Sequence, residues 1–137
     1  MSELARDAVM KSILIADGNE SVAEMFADVF AGHDWNVTRY SDGKCAGEAL
    51  RGSPQYDAVL VGYRFDGING VELIKGIRAL DHRKDVPIVM VTGTLTVHVA
   101  AAALTAGADD VLHKPVDVAL LVATVSKCVE RRRLQDT

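Results

Sequence analysis

The chain has 137 residues and a formal net charge of −4, with 49% hydrophobic and 25% charged residues. This is the composition of one globular domain, and the acidic balance gives no electrostatic footprint for direct nucleic-acid binding. No apolar run approaches the roughly 20 residues of a membrane span, and the N-terminus has no signal-peptide core, so we expect no membrane contact and a cytoplasmic location.

Strand patterns and helix patterns alternate along the whole chain. In chain order, the predicted elements are a strand over 12–16, a helix over 22–30, a strand over 35–40, a helix over 43–50, a strand over 57–61, a helix over 71–80, a strand over 88–91, a helix over 96–106, a strand over 109–112 and a helix over 118–129. We expect one domain over 11–132, between an N-terminal tail over 1–10 and a C-terminal tail over 133–137.

The first helix has the clearest local signals. Its apolar residues follow helical spacing without a miss and include Met25, while Ser21 and Glu24 stand at the spacing of a capping box. The helix over 96–106 is rich in alanine, so its polar face is hard to locate and part of its surface is expected to be exposed and apolar. Cys45 and Cys128 lack the spacing of a metal site, and we expect no metal.

Five strands alternating with five helices predict an α/β fold. Right-handed crossovers of this length favour a doubly wound, five-stranded parallel sheet of the flavodoxin-like kind, whose functional loops lie at the carboxyl ends of the strands. Four strand ends deliver polar or unusual residues to that edge: Asp17, Gly62, Thr92 and Lys114. A carboxylate, a hydroxyl and an ammonium in this order predict one polar site.

These segments resemble the receiver domain of bacterial two-component response regulators, the CheY-like family. The resemblance rests on ILIADGN at the first strand, DAVLVGYRFDGINGVELIKGIR around the third, PIVMVTG at the fourth and AGADDVLHKPVD at the fifth. It implies the strand order 2-1-3-4-5. It also implies a phosphorelay, in which a histidine kinase transfers a phosphoryl group to an aspartate after the third strand, with Mg²⁺ bound beside it.

Some positions of this chain match the family and others depart from it. Asp17 matches the first acid, Thr92 the hydroxyl, Lys114 the ammonium, and Asn69-Gly70 the closure of the loop after the third strand. Three positions depart from the pattern: Gly18 replaces the second acid, Gly62 replaces the phosphoacceptor, and Val111 replaces the aromatic switch residue.

These departures have chemical consequences. Glycine offers no oxygen nucleophile, and the loss of two carboxylates removes the hard anionic ligands that Mg²⁺ needs, so we expect weak or no Mg²⁺ binding and no cofactor. Arg64 in the same loop would weaken cation binding further if it pointed inward. Without its aspartate partner, the Lys114 ammonium is expected to contact Asp17 directly.

The leading hypothesis is a degenerate receiver domain that works without aspartyl phosphorylation. It would bind a histidine kinase, an effector or a second copy of itself through the fourth helix, fifth strand and fifth helix. One alternative moves phosphorylation to Asp66 in the same loop. The other is a small anion or nucleotide site formed by Thr92, Lys114 and Arg64. The sequence shows no nucleophile paired with a base and no pair of acidic residues for catalysis. We therefore expect no enzymatic activity.

Overall fold

A computed structural model describes residues 10–135, in which five parallel strands and five α-helices alternate. The strands are β1 Ser12–Ala16, β2 Asn36–Tyr40, β3 Ala58–Val61, β4 Ile88–Thr92 and β5 Asp110–His113. The helices are α1 Glu20–Ala31, α2 Gly43–Arg51, α3 Gly70–Arg78, α4 Val97–Ala106 and α5 Val118–Gln135, with a 3-10 turn at Asp81–Arg83. The strands pair in the order β2-β1-β3-β4-β5, which confirms the predicted fold class.

Successive residues of the strands enter two separate cores on opposite faces of the sheet. In β1, Leu14 and Ala16 pack towards α2, α3 and α4, whereas Ile13 and Ile15 pack towards α1 and α5. The central strands β1, β3 and β4 are buried throughout, because helices cover both faces of the sheet. This double burial explains why those strands appear in the sequence as continuous apolar runs.

The start and the buried stripe of α1 differ from the prediction. Asn19 is the cap, and its Oδ1 accepts a hydrogen bond from the Val22 amide at 3.2 Å, while Ser21 already lies inside the helix. Met25 is 49% exposed and Ala23 is buried in its place. The predicted capping box was therefore wrong, and Met25, although it keeps the apolar spacing, lies outside the buried stripe of Ala23, Phe26 and Phe30.

The C-terminal helix is longer than predicted. It continues to Gln135, so residues 133–135 are helical where we expected a tail. Near its end, Arg132 Nε donates to Asp109 Oδ1 at 2.8 Å, and this ion pair holds the last turns of α5 against the sheet. The expected N-terminal tail lies outside the described residues except for Met10. No helix over residues 10–135 is long and apolar enough to cross a membrane.

Candidate functional site

The sheet brings the four predicted strand-end residues to one edge. Backbone hydrogen bonds extend the strand pairing into this edge: the Gly62 amide donates to the Ala16 carbonyl at 2.7 Å, and the Lys114 amide donates to the Thr92 carbonyl at 2.9 Å. Asp17, Thr92 and Lys114 line one open cleft there, together with the loops that follow β1, β3 and β4. The predicted location of the site is the location of this cleft.

A direct ion pair joins the two charged residues of this edge. Lys114 Nζ lies 2.7 Å from Asp17 Oδ2, which confirms the predicted contact. The other carboxylate oxygen of Asp17 accepts a hydrogen bond from the Asn19 amide at 2.9 Å. Because Asp17 is only 4% exposed, its negative charge is compensated almost entirely by these two partners.

Gly62 lies directly beneath this ion pair. A Cβ atom built at Gly62 would stand 2.8 Å from Asp17 Oδ2 and 3.1 Å from its carboxyl carbon. The Asp17 carboxylate therefore occupies space that a side chain at position 62 would need. The position that resembles a phosphoacceptor is a bare backbone covered by a neighbouring carboxylate.

The loop between β3 and α3 packs against Gly18. A Cβ atom at Gly18 would collide with the Arg64 carbonyl oxygen and would approach the Phe65 Cα atom to 3.3 Å. At the other end of the loop, the Gly70 amide donates to the Tyr63 carbonyl at 2.7 Å, and Asn69 Oδ1 caps α3 by accepting from the Glu72 amide at 3.0 Å. Asn69-Gly70 thus closes the loop, and the loop backbone fills the space beside Gly18.

No hydrogen bond of the structure joins Arg64, Asp66 or Thr92 to the ion pair over the described residues. Arg64 is exposed, and its Nε donates to Thr94 Oγ1 at 3.1 Å rather than to a carboxylate of the cleft. Thr92 is buried, and its Oγ1 accepts a hydrogen bond from the Thr94 amide at 3.0 Å. Asp66 lies exposed on the rim of the cleft.

Val111 stands in the middle of β5, where it pairs with Met90 of β4 and packs at the edge of the core beneath α4. The other residues of the strand, Asp110, Leu112 and His113, also carry no six-membered aromatic ring. An aliphatic side chain of this size has no large ring to move between an exposed and a buried position.

The donor set around Asp17 does not fit Mg²⁺. Asp17 is the one carboxylate among the four strand-end residues, and Lys114 already neutralises it. Over the described residues, no group of three or more histidine, cysteine or acidic side chains could hold a metal ion. The Arg64 carbonyl oxygen, a neutral donor, faces Gly18 rather than a second acid.

Sequence reasoning missed two residues of this edge. Asn19 contacts Asp17 through its backbone amide and caps α1 through its side chain, and its position two residues after an aspartate is typical of an Asx turn. Thr94 links the loops after β3 and β4, and its spacing from Thr92 is typical of the corresponding hydroxyl turn. Both turns can be recognised from neighbouring residues in the sequence. The contact between Thr94 and Arg64 cannot, because the two residues are 30 positions apart.

Comparisons with known proteins agree with this geometry. A family model described as "Response regulator receiver domain" matches residues 13–126. The chain is 33% identical over 125 residues to the DNA-binding response regulator MtrA of Mycolicibacterium smegmatis, which covers 91% of this chain and 53% of MtrA. The chain thus spans about half the length of this curated relative.

Two solved structures are similar over most of the chain. A putative response regulator from Chloroflexus aurantiacus superposes with a TM-score of 0.82 at 30% identity, covering 88% of this chain and 98% of that one. A CheY-like receiver domain protein from Methanospirillum hungatei superposes with a TM-score of 0.86 at 20% identity, covering 92% of this chain and 98% of that one. The second likeness shows the fold alone.

Proposed function

The chain belongs to the response regulator receiver domain family of two-component systems, and from that premise we propose that it is a pseudo-receiver that signals by binding other proteins without aspartyl phosphorylation. The observation that carries this proposal is the ion pair above Gly62. Where a receiver needs an oxygen nucleophile, this chain has a glycine, and the ammonium that would hold the phosphoryl group already binds Asp17 at 2.7 Å.

The proposal includes weak or no Mg²⁺ binding. A divalent cation at this edge would have to displace the Lys114 ammonium from Asp17 and would gain a single carboxylate ligand in return. It would also need space beside Gly18, where the Arg64 carbonyl lies. Both changes cost free energy, and over the described residues no group of three or more acidic, histidine or cysteine side chains is placed to offset them.

The surface that supports a binding role lies around α4. No aspartate, glutamate, lysine or arginine occurs from Leu95 to Ala108, and the apolar side chains Val97 and Leu104 are 83% and 51% exposed. A contiguous exposed apolar patch is one of the features that mark interaction sites. We place the contact with a histidine kinase, an effector or a second copy of the chain on α4, β5 and α5.

Neither alternative gains support from the geometry. Asp66 is exposed on the rim, and Lys114, the one ammonium of the cleft, is held by Asp17. An anion or nucleotide would meet an unfavourable field, because the described residues that line the cleft include five carboxylates and two cations. DNA binding is named for MtrA, about half of whose length this chain matches, and we propose no direct nucleic-acid contact for this domain.

Exposure to a small acyl phosphate with Mg²⁺, followed by intact mass measurement, tests the proposal. We expect no gain of a phosphoryl group, while a receiver domain that carries the acceptor aspartate is labelled in parallel. A gain that disappears in Asp66→Asn would show that phosphorylation has moved within the loop and would overturn the proposal. A gain that persists in Asp66→Asn would place the acceptor elsewhere and would overturn it equally.

A further inference from the structure

A chain of side-chain hydrogen bonds connects two loops of the cleft. Arg64, in the loop between β3 and α3, donates from Nε to Thr94 Oγ1 at 3.1 Å. Thr94, in the loop between β4 and α4, donates from its backbone amide to Thr92 Oγ1 at 3.0 Å. Thr92 is the last residue of β4 and is 2% exposed, so the chain runs from a surface guanidinium to a buried hydroxyl.

The guanidinium is presented by a backbone that is itself held in place. Arg64 pairs with Asn69 in an isolated antiparallel bridge, and its carbonyl oxygen packs against Gly18. Thr94 is thus held by two hydrogen bonds. Its hydroxyl accepts one from Arg64, and its backbone amide donates the other to Thr92 at the end of β4.

The threonine that receives the guanidinium stands just before α4. Thr96 caps the helix, accepting at Oγ1 from the Val99 amide at 3.1 Å, and Leu95 lies between the two threonines. Leu95 and Val97 are both exposed apolar residues. The hydrogen bond from Arg64 thus ends two residues before the cap of the helix whose uncharged surface we assign to partner binding.

We infer that Arg64 is a positioning residue, which fixes the loop between β4 and α4 and the start of α4 in one arrangement without any covalent modification. The consequence for a partner rests on the proposed function, whereas the coupling between the two loops does not. The link between the two loops is made by an unmodified arginine and an unmodified threonine.

Amide hydrogen exchange of the full chain, followed residue by residue by NMR, tests this role. We compare protection factors at Thr94 and Leu95 in Arg64→Gln, Thr94→Val and the double variant. Each single variant should reduce protection at Thr94 by about fivefold, the effect of losing one modest hydrogen bond. The double variant should lose no more than either single one, because both remove the same bond.

Two further variants make the result specific. Thr94→Ser keeps the hydroxyl and should retain the protection, and Arg133→Gln, which removes an exposed guanidinium from the last turns of α5, should leave it unchanged. Unchanged protection in Arg64→Gln, or losses that multiply in the double variant, would overturn the inference. Phosphoryl labelling would refute the proposed function while leaving this exchange pattern intact, so the two failures are distinguishable.

Discussion

Replacement of Lys114 by methionine should destabilise the fold strongly, because it leaves a buried carboxylate without its cation. At 2.7 Å, with an effective dielectric constant near 20, the pair attracts by about 6 kcal/mol before desolvation is subtracted. Breaking a buried ion pair by removing one partner typically costs about 3–5 kcal/mol. The Lys114 side chain is 26% exposed, so water can reach Asp17 after the change, and we expect about 3 kcal/mol.

Urea unfolding, followed by the fluorescence of the buried Trp35, measures this loss. The double variant Asp17→Asn with Lys114→Met should recover most of the stability and fall within about 1 kcal/mol of the parent chain, since neither charge is then buried alone. Lys127→Met, at an exposed position on α5, is the matched control and should change the free energy of unfolding by less than about 0.5 kcal/mol.

Two outcomes would refute the reasoning. A loss below about 1 kcal/mol in Lys114→Met would mean that the pair contributes no more than an exposed surface pair does. Losses in Asp17→Asn and Lys114→Met that simply add in the double variant would mean that the two side chains do not interact energetically.

Two other predictions concern the glycines and the thiols. Gly18→Ala should destabilise the fold by about 2 kcal/mol or more, because its Cβ would collide with the Arg64 carbonyl. Gly76→Ala in α3 should stabilise the fold by about 0.5–1 kcal/mol, because a Cβ there meets nothing within 4 Å. Equal urea midpoints for the two variants would contradict this prediction. Burial raises the pKa of the Cys128 thiol, so a thiol reagent at pH 8 should modify exposed Cys45 in the folded chain and both cysteines in urea. Two fast-reacting thiols in the folded chain would refute the assignment of Cys128 as buried. Because the pKa of Cys128 in the folded chain lies above its unfolded value near 8.5, the stability that its burial contributes is complete below about that pH and declines as the pH rises further.

The sequence was sufficient for the sheet because its information is local and periodic. The strands over β1, β3 and β4 are continuous apolar runs, and helical spacing identified the intervening helices, so the strand order and the edge of the site followed. The contact between Lys114 and Asp17 was also predictable, because charge balance alone pairs the ammonium and the carboxylate that remain at that edge.

The route of the loops could not be predicted, because it depends on contacts between segments far apart in the chain. Nothing local to Arg64 indicates that its carbonyl packs on Gly18 or that its guanidinium reaches Thr94. The prediction of the cap of α1 failed for a related reason. Asn19 and Ser21 are both good capping residues, and the direction in which the chain leaves β1 decides which of them caps the helix. Composition sets which residues can cap, and the tertiary structure selects one.

Gly62 and Gly18 do more than replace the carboxylates of the family pattern, because this structure leaves no room for a side chain at either position. At Gly62 the space for a Cβ atom holds the Asp17 carboxylate, and at Gly18 it holds the Arg64 carbonyl. An aspartate placed at position 62 alone would meet a like charge at close range and would compete for Lys114 before it could act as an acceptor. Because neighbouring groups occupy the space that these side chains would need, we expect Gly62→Asp alone to disturb the ion pair without creating a phosphorylation site.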